Sequence, residues 1–325
     1  MEINFICRKG TEHFATPILD CSDQSNKSIL KIKRSILNSK TKALISAFFS
    51  KNIWVEWAGH YAIDISKIKR KNQNLIIRLH RYELFNKKYM DRIKWRNVDK
   101  LIFVNPELEK YFLNNINPNV NTITIPNAIE VNKFDYHKPS DENSLLAYSQ
   151  SFNPIKSYHK LITTFSKLIK INPNFNLTIA AKYPIRENHI ENYNECKKLI
   201  EKNRLSQNIT LHIIKNDSEI ISLLKNNNAI ISYSDVESFH YSFAEGLLSG
   251  LEGFCNGWRE LNPQCFWNNW WYPNEKEFIT ALLDWGKSSI DARIKKSLKN
   301  KSYIIDNFSA EKISQLYLNL FKETV

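Results

Sequence analysis

The chain has 325 residues, 42% of them hydrophobic and 24% charged, which is room for two ordinary domains and a globular rather than disordered composition. No apolar run reaches the length of a membrane span, and the opening residues MEINFICRKGTEHF lack the basic-then-apolar order of a secretory signal, so a cytoplasmic location is expected. The formal charge of +13 implies an anionic partner, but KIKR (31–34), KIKRK (67–71) and KK (295–296) are scattered rather than gathered on one base-stacking helix, which argues against nucleic acid.

In chain order, INFIC (3–7), ALISAFF (43–49), IWVEWA (53–58), LIIRLH (75–80), KLIFV (100–104) and TITIP (122–126) read as buried strands. Segments of helical spacing or polar connection, such as HYAIDISKIKRK and NPELEKYFLNNI, separate them, so alternating β and α units on a largely parallel sheet are expected. Asn105 and Pro106 open a helix that should run to about Asn114, because proline is tolerated at the first helical position and Asn105 can cap it. The polar, proline-bearing VNKFDYHKPSDENS (131–144) reads as a linker. A second alternation follows: strands at 145–149, 176–181, 209–214 and 229–234, with helices at 158–171, 190–203, 218–226 and 241–250, and a last helix at 309–323 capped by Ser309. The expected domains are 1–135, 136–305 and a C-terminal helix at 306–325, with the ligand between two doubly wound sheets at the carboxyl ends of their strands.

Five widely spaced cysteines without a C-x-x-C pair suggest free thiols rather than a disulfide framework or zinc site. There is no GxGxxG or Walker loop, and no Asp-x-Asp pair at a strand end, so dinucleotide redox chemistry, ATP hydrolysis and a metal-bridged nucleotide site are disfavoured. The basic surface is consistent with an anionic membrane face or with lysines solvating surface helices.

The most informative segment is ISYSDVESFHYSFAEGLLSG (231–250): a strand, a loop carrying Glu237, and a helix carrying Glu245. A carboxylate pair at this spacing is common in itself. Here the two carboxylates would address different parts of one extended ligand, and the helix start at Tyr241, Ser242 and Phe243 offers free N–H groups and a positive dipole end. Three further stretches belong with it: LLAYSQSFNPIKSYHKLITTFSKL (145–168), TITIPNAIEVNKF (122–134) and NLIIRLHRYEL (74–84). Together they resemble the retaining glycosyltransferases of family 4, the glycosyl transferases group 1, across most of residues 75–260.

The resemblance implies an α/β GT-B architecture, two Rossmann-like doubly wound domains facing a cleft with the C-terminal helix packing back toward the first domain. It implies sugar transfer from a nucleotide diphosphate donor, UDP-linked and used as co-substrate with no cofactor and no metal, to a surface-polysaccharide or lipid-linked glycan, with anomeric configuration retained. Glu237 would hold the donor hexose and Glu245 the ribose hydroxyls, with the diphosphate at Tyr241, Ser242 and Phe243 beside Lys156. Ser151 stands where the family has an Arg, and His240 where it commonly has glycine. Lys182 or Arg186 would supply the missing charge, since a departing diphosphate builds negative charge. His80 would face the reacting sugar, and Glu56, His60 and Arg81 would hold the acceptor. The aromatic stretch 255–278 reads chiefly as packing, with Trp258 and Arg259 the exceptions that would reach a ligand. The departures at Ser151 and at several glycines leave a second reading, a catalytically silent glycan-binding or scaffold subunit.

Overall fold

A computed structural model describes residues 1–25, 30–116, 119–257 and 264–324, which divide into two compact units, Met1–Glu130 with Asp306–Val325, and Val131–Ile305. The first unit runs β1 (Glu2–Arg8), α1 (Thr16–Ser25), β2 (Lys31–Leu37), α2 (Lys40–Phe48), β3 (Asn52–Glu56), α3 (His60–Ile68), β4 (Asn74–Leu79), α4 (Arg81–Leu84), α5 (Lys87–Met90), β5 (Lys100–Phe103), α6 (Pro106–Asn115) and β6 (Thr122–Thr124). All six strands are parallel, in the order β2-β1-β3-β4-β5-β6. The chain reverses its direction of travel between β1 and β3, which makes that pair the switch point where an open α/β sheet leaves a crevice.

The second unit runs β7 (Asn143–Ser149), α7 (Tyr158–Ile171), β8 (Phe175–Lys182), α8 (Glu187–Lys202), β9 (Ile209–Ile214), α9 (Asp217–Lys225), β10 (Ala229–Ser232), α10 (Tyr241–Leu248), β11 (Glu252–Cys255), α11 (Gln264–Trp267), α12 (Glu275–Gly286) and α13 (Ile290–Phe308), whose last residues return to the first unit before α14 (Ala310–Thr324). Its five strands are parallel in the order β11-β10-β7-β8-β9, with the switch point between β7 and β10.

Amphipathic spacing explains the helices that bury one face. In α7, Tyr158, Leu161, Ile162, Phe165 and Leu168 lie on one stripe and meet Leu145, Phe175 and Ile179 of the sheet. Helix α14 packs back on the first unit, as expected: Ile313, Tyr317 and Phe321 join Phe5, Trp54 and Ile76, and the Tyr317 ring stacks on Trp54 at 4.8 Å. Ser309 caps it, accepting from the Lys312 N–H at 3.3 Å.

Two local readings are corrected. ALISAFF is not a strand but most of α2, whose N-terminus is capped by Ser39 and whose buried face is Ala43 and Ala47. Its Ile45 and Phe48 project outward, so the run is apolar without being buried throughout. KIKRSIL, passed over as a basic stretch, forms β2, where the exposed Lys31, Lys33 and Arg34 suit an edge position.

Candidate functional site

Strands β7 and β10 are neighbours in space, so the loops that follow them, 150–157 and 233–240, emerge side by side at the switch point of the second sheet. Asn153 caps the short turn Pro154–Lys156, accepting from the Ile155 N–H at 3.1 Å. Ser157 then adopts a left-handed conformation, φ 50° and ψ 39°, and its hydroxyl donates to Asp235 Oδ2 at 2.6 Å. Asp235 also takes Lys160 Nζ at 2.7 Å and donates its own N–H to the Ile155 carbonyl at 2.8 Å, which latches the two loops together.

That latch sets Lys156 against Glu237 in an ion pair, with 21% and 14% of the two side chains exposed. Burial by itself would raise the Glu237 carboxyl, but the Lys156 charge, with hydrogen bonds from Lys156 and Ser234, outweighs it and holds the group below its ordinary value, so it is ionised. His240 Nε2 lies 3.7 Å from the same Glu237 oxygen. The other ring nitrogen, Nδ1, caps α10 by accepting from the Phe243 N–H at 3.3 Å, with Ser242 Oγ at 3.1 Å. Burial pushes His240 down to about 4, so the ring is neutral, as a cap acceptor must be. Lys156, Glu237, His240 and the first turn of α10 thus form one continuous array.

Glu245 lies on the second turn of α10 and accepts the Tyr148 hydroxyl from β7. Burial raises the Glu245 carboxyl, and the Asp217 charge adds to the rise. Lys182, exposed at the end of β8, pairs with that Asp217 at 3.5 Å. Arg186 is exposed at the N-cap of α8 and makes no side-chain hydrogen bond or ion pair among the described residues. Ser151 is half-buried, and its carbonyl accepts the Ser149 hydroxyl at 2.6 Å. Of the aromatic stretch, Trp267 and Trp270 are buried and pack edge-on against Phe243, behind the helix start. Trp258 and Arg259 lie outside the described residues.

The first unit carries a separate cavity of about 260 Å³ at its own switch point, lined by Arg8 at the end of β1, Glu56 and Trp57 at the end of β3, His60 at the start of α3, and residues of the β4–α5 segment. The parallel register sets Glu56 beside Arg78. Glu56 Oε1 takes Arg78 Nη1 at 3.0 Å and lies 2.8 Å from His80 Nε2, while Arg78 Nη2 donates to Asn127 at 2.5 Å. His80 is buried, sandwiched by Trp57 at 4.1 Å and Phe14 at 5.3 Å, and burial lowers its pKa. The backbone N–H of His80 donates to Glu83 Oε2 at 3.2 Å, and burial pushes the Glu83 carboxyl up to about 8. His60 is exposed with its ring edge against Tyr89 at 5.2 Å. Arg81 lines a neighbouring open cavity of about 530 Å³ with its guanidinium over the Phe85 ring.

Each sheet therefore gathers its own candidates. Glu237, Lys156, His240 and Glu245 group in the second unit; Glu56, His80 and His60 group in the first, with Arg81 to one side. The sequence reading missed Tyr148, Asp235 and Ser157 in the second unit, and Arg8 and Trp57 in the first. Arg8 follows directly on the apolar run 3–7 and Trp57 lies within the run 53–58, which was the available signal.

Residues 129–251 match the family described as glycosyl transferases group 1. No curated protein matches the chain. Among solved structures, similarity extends to TarM of S. aureus, in complex with fondaparinux, α-GlcNAc-glycerol and UDP (17% identity, TM-score 0.68), covering 87% of this chain and 58% of that one. It extends also to a glycosyltransferase of Rickettsia africae (16% identity, TM-score 0.71; 99% and 98% covered). A third is Alr3699/HepE of Anabaena in complex with UDP and glucose (13% identity, TM-score 0.73; 99% and 100% covered). The chain spans little more than half the length of TarM, and these likenesses establish the fold, two parallel-sheet Rossmann-like domains of the GT-B kind.

Proposed function

We propose that the protein is a nucleotide-sugar-dependent glycosyltransferase that retains anomeric configuration, taking a UDP-linked sugar as donor and a surface-polysaccharide or lipid-linked glycan as acceptor. The observation that carries this reading is the array at the switch point of the second sheet, inside the segment that matches the glycosyl transferases group 1. Glu237 holds the donor sugar, Glu245 the ribose hydroxyls, and Lys156 with the positive end of α10 the diphosphate. In the step, the C1–oxygen bond to the diphosphate breaks and a C1–oxygen bond to the acceptor forms on the same face. The acceptor proton passes to the departing phosphate oxygen. Lys156 and the helix end stabilise the charge that develops there without a metal, so transfer should persist in a chelator.

Several observations in the first unit support contact with an anionic membrane. Ile45, Phe48, Phe49 and Ile68 are exposed large apolar residues, and Phe49 is 80% exposed. Lys42 in α2 and Lys67 in α3, with Lys51 and Lys71 in the segments that follow those helices, make no ion pair among the described residues. Cosedimentation with vesicles rich in phosphatidylglycerol checks this; no difference from neutral vesicles would refute it.

The direct test of the main reading is to incubate the folded protein with a panel of nucleotide sugars and follow binding and slow donor hydrolysis. Failure to respond to every donor removes it. One observation favours the second reading, a silent glycan-binding subunit: Lys156 is already neutralised by Glu237, and Ser151 supplies no second cation. Turnover that collapses in Glu237→Ala or Lys156→Ala excludes that alternative.

A further inference from the structure

The cavity of the first unit has the features of a ligand site in its own right. At about 260 Å³ it lies just below the ~300 Å³ at which pockets for drug-sized molecules begin, a size suited to one sugar ring. Trp57, which lines it, holds φ at +72°, a conformation that bulky side chains rarely adopt. The indole is pinned there by donating to the Thr11 carbonyl at 2.8 Å, and strain of this kind persists where the surrounding structure imposes it, often at functional sites.

The polar groups of the cavity are arranged unequally. Glu56 is 2% exposed, and its Oε1 serves Arg78 and His80, but its Oε2 is buried with no hydrogen-bond partner. A buried acceptor left in that state costs roughly 1–3 kcal/mol, which a ligand hydroxyl donating to it would relieve. Arg8 lines the same cavity and makes no side-chain hydrogen bond or ion pair among the described residues. Its charge tempers the rise that burial imposes on the hydroxyls of Tyr61 and Tyr89, which line the cavity with it. The two acids in the lining do not answer it: Glu56 is matched by Arg78, and burial keeps Glu83 protonated at neutral pH. Arg8 is therefore the uncompensated charge of a cavity whose walls, Trp57, Tyr61, Tyr82 and Tyr89, are aromatic.

We propose that this cavity binds the acceptor as a pyranose carrying an anionic substituent, with Arg8 on the anion, Glu56 Oε2 on a ring hydroxyl and the aromatic side chains along the C–H face. Arg8 then sets specificity, since a guanidinium recognises both carboxylate and phosphate through paired N–H donors. Aromatic rings suit the apolar face of a sugar whatever its charge. This inference rests on the glycosyltransferase reading for the name acceptor, but the binding it describes needs no donor.

The experiment is ligand-observed NMR titration of the full chain, without nucleotide, using methyl glucuronide, glucose 6-phosphate and methyl glucoside, with UDP titrated separately. At least one of the two anionic sugars should bind tenfold or more tighter than the glucoside, and the tighter of the two identifies carboxylate or phosphate as the recognised group. Arg8→Gln, at an exposed position, should abolish that margin while leaving the thermal midpoint and the UDP affinity as they are. Glu56→Gln should weaken all three sugars. Equal affinities for the three sugars, absence of sugar binding, or a margin that survives Arg8→Gln each overturn the proposal. UDP binding without sugar selectivity would remove this inference and leave the proposed function standing; sugar selectivity without UDP binding would do the reverse.

Discussion

Lys156 and Glu237, 81 residues apart in the chain, form an ion pair that ties the loop after β7 to the loop after β10. Both side chains are mostly buried, so removing one partner strands the other in a poor solvent for charge. Lys156→Met is expected to cost about 1–3 kcal/mol at neutral pH, and the double variant Lys156→Met with Glu237→Gln should recover part of that loss. The Glu237 carboxyl is held below 4.5, so the stability it contributes is present above that pH and disappears as pH falls through the folded value. Denaturant unfolding should therefore show the wild type and Lys156→Met converging in acid. A gap that stays constant with pH would contradict this account of the pair.

Glu83 behaves in the opposite sense. Its carboxyl is pushed from 4.5 up to about 8 by burial, so the folded chain holds a proton that the unfolded chain releases. The stability linked to that proton is complete below 4.5 and is lost as pH rises through about 8. Glu83→Gln keeps the side-chain length and an acceptor for the His80 N–H, but it cannot ionise. Against the wild type it should be level at acid pH and progressively more stable on the alkaline side. Parallel stability curves across that window would show that Glu83 is not buried as described.

How much of this was legible in the sequence depends on whether a feature is local. Helix α7 and the Asn105 cap are local, and both were read from the residues themselves, the first from its helical spacing and the second from Asn105 before Pro106. Helix α2 was misread because ALISAFF looks apolar all round, and only the fold reveals that Ile45 and Phe48 face outward. Edge strand β2 was hidden by its charges. In the sites, the grouping of Lys156 with Glu237 was anticipated through resemblance. The pairing of Glu56 with Arg78 and His80 was not, because it depends on the register of β3 against β4. Nothing in the residue types near Trp57 announces its positive φ.

Gly246 tests the close approach of α10 to β10. A Cβ there would lie 2.7 Å from Ile230 Cβ and 2.8 Å from its Cγ1, atoms that the sheet holds in place. Two effects compete in Gly246→Ala: helix propensity favours alanine by about 1 kcal/mol, whereas overpacking costs roughly 1–3 kcal/mol. The clash should win, because the nearest atoms are branched and buried rather than the end of a flexible chain. A lowered thermal midpoint, larger still for Gly246→Val, is expected. Stabilisation by alanine would mean that helix and strand are farther apart than this.

Arg78 and Glu56 provide the last test, because the pair also sets the state of His80. Arg78 is fully buried, and its guanidinium is answered by Glu56 at 3.0 Å and Asn127 at 2.5 Å. Glu56→Gln removes the carboxylate that meets the Arg78 guanidinium at 3.0 Å, and breaking a buried pair in this way costs on the order of 3–5 kcal/mol. Arg78→Met acts differently. It leaves the Glu56 carboxylate facing His80 at 2.8 Å without its competing cation. His80 lies below 6.5 in the intact protein, chiefly through burial, with Arg78 helping to lower it and Glu56 opposing. Without Arg78 the balance shifts toward the imidazolium, so His80 should titrate at higher pH, as read by NMR of its ring protons. In the wild type the neutral ring favours the fold above 6.5, and that benefit fades as pH falls through the folded value. In Arg78→Met the pH dependence should weaken or reverse, since a His80 that gains a proton from an unshared carboxylate partner is stabilised in acid. An unchanged His80 titration in a folded Arg78→Met protein would show that the three side chains do not share one charge balance.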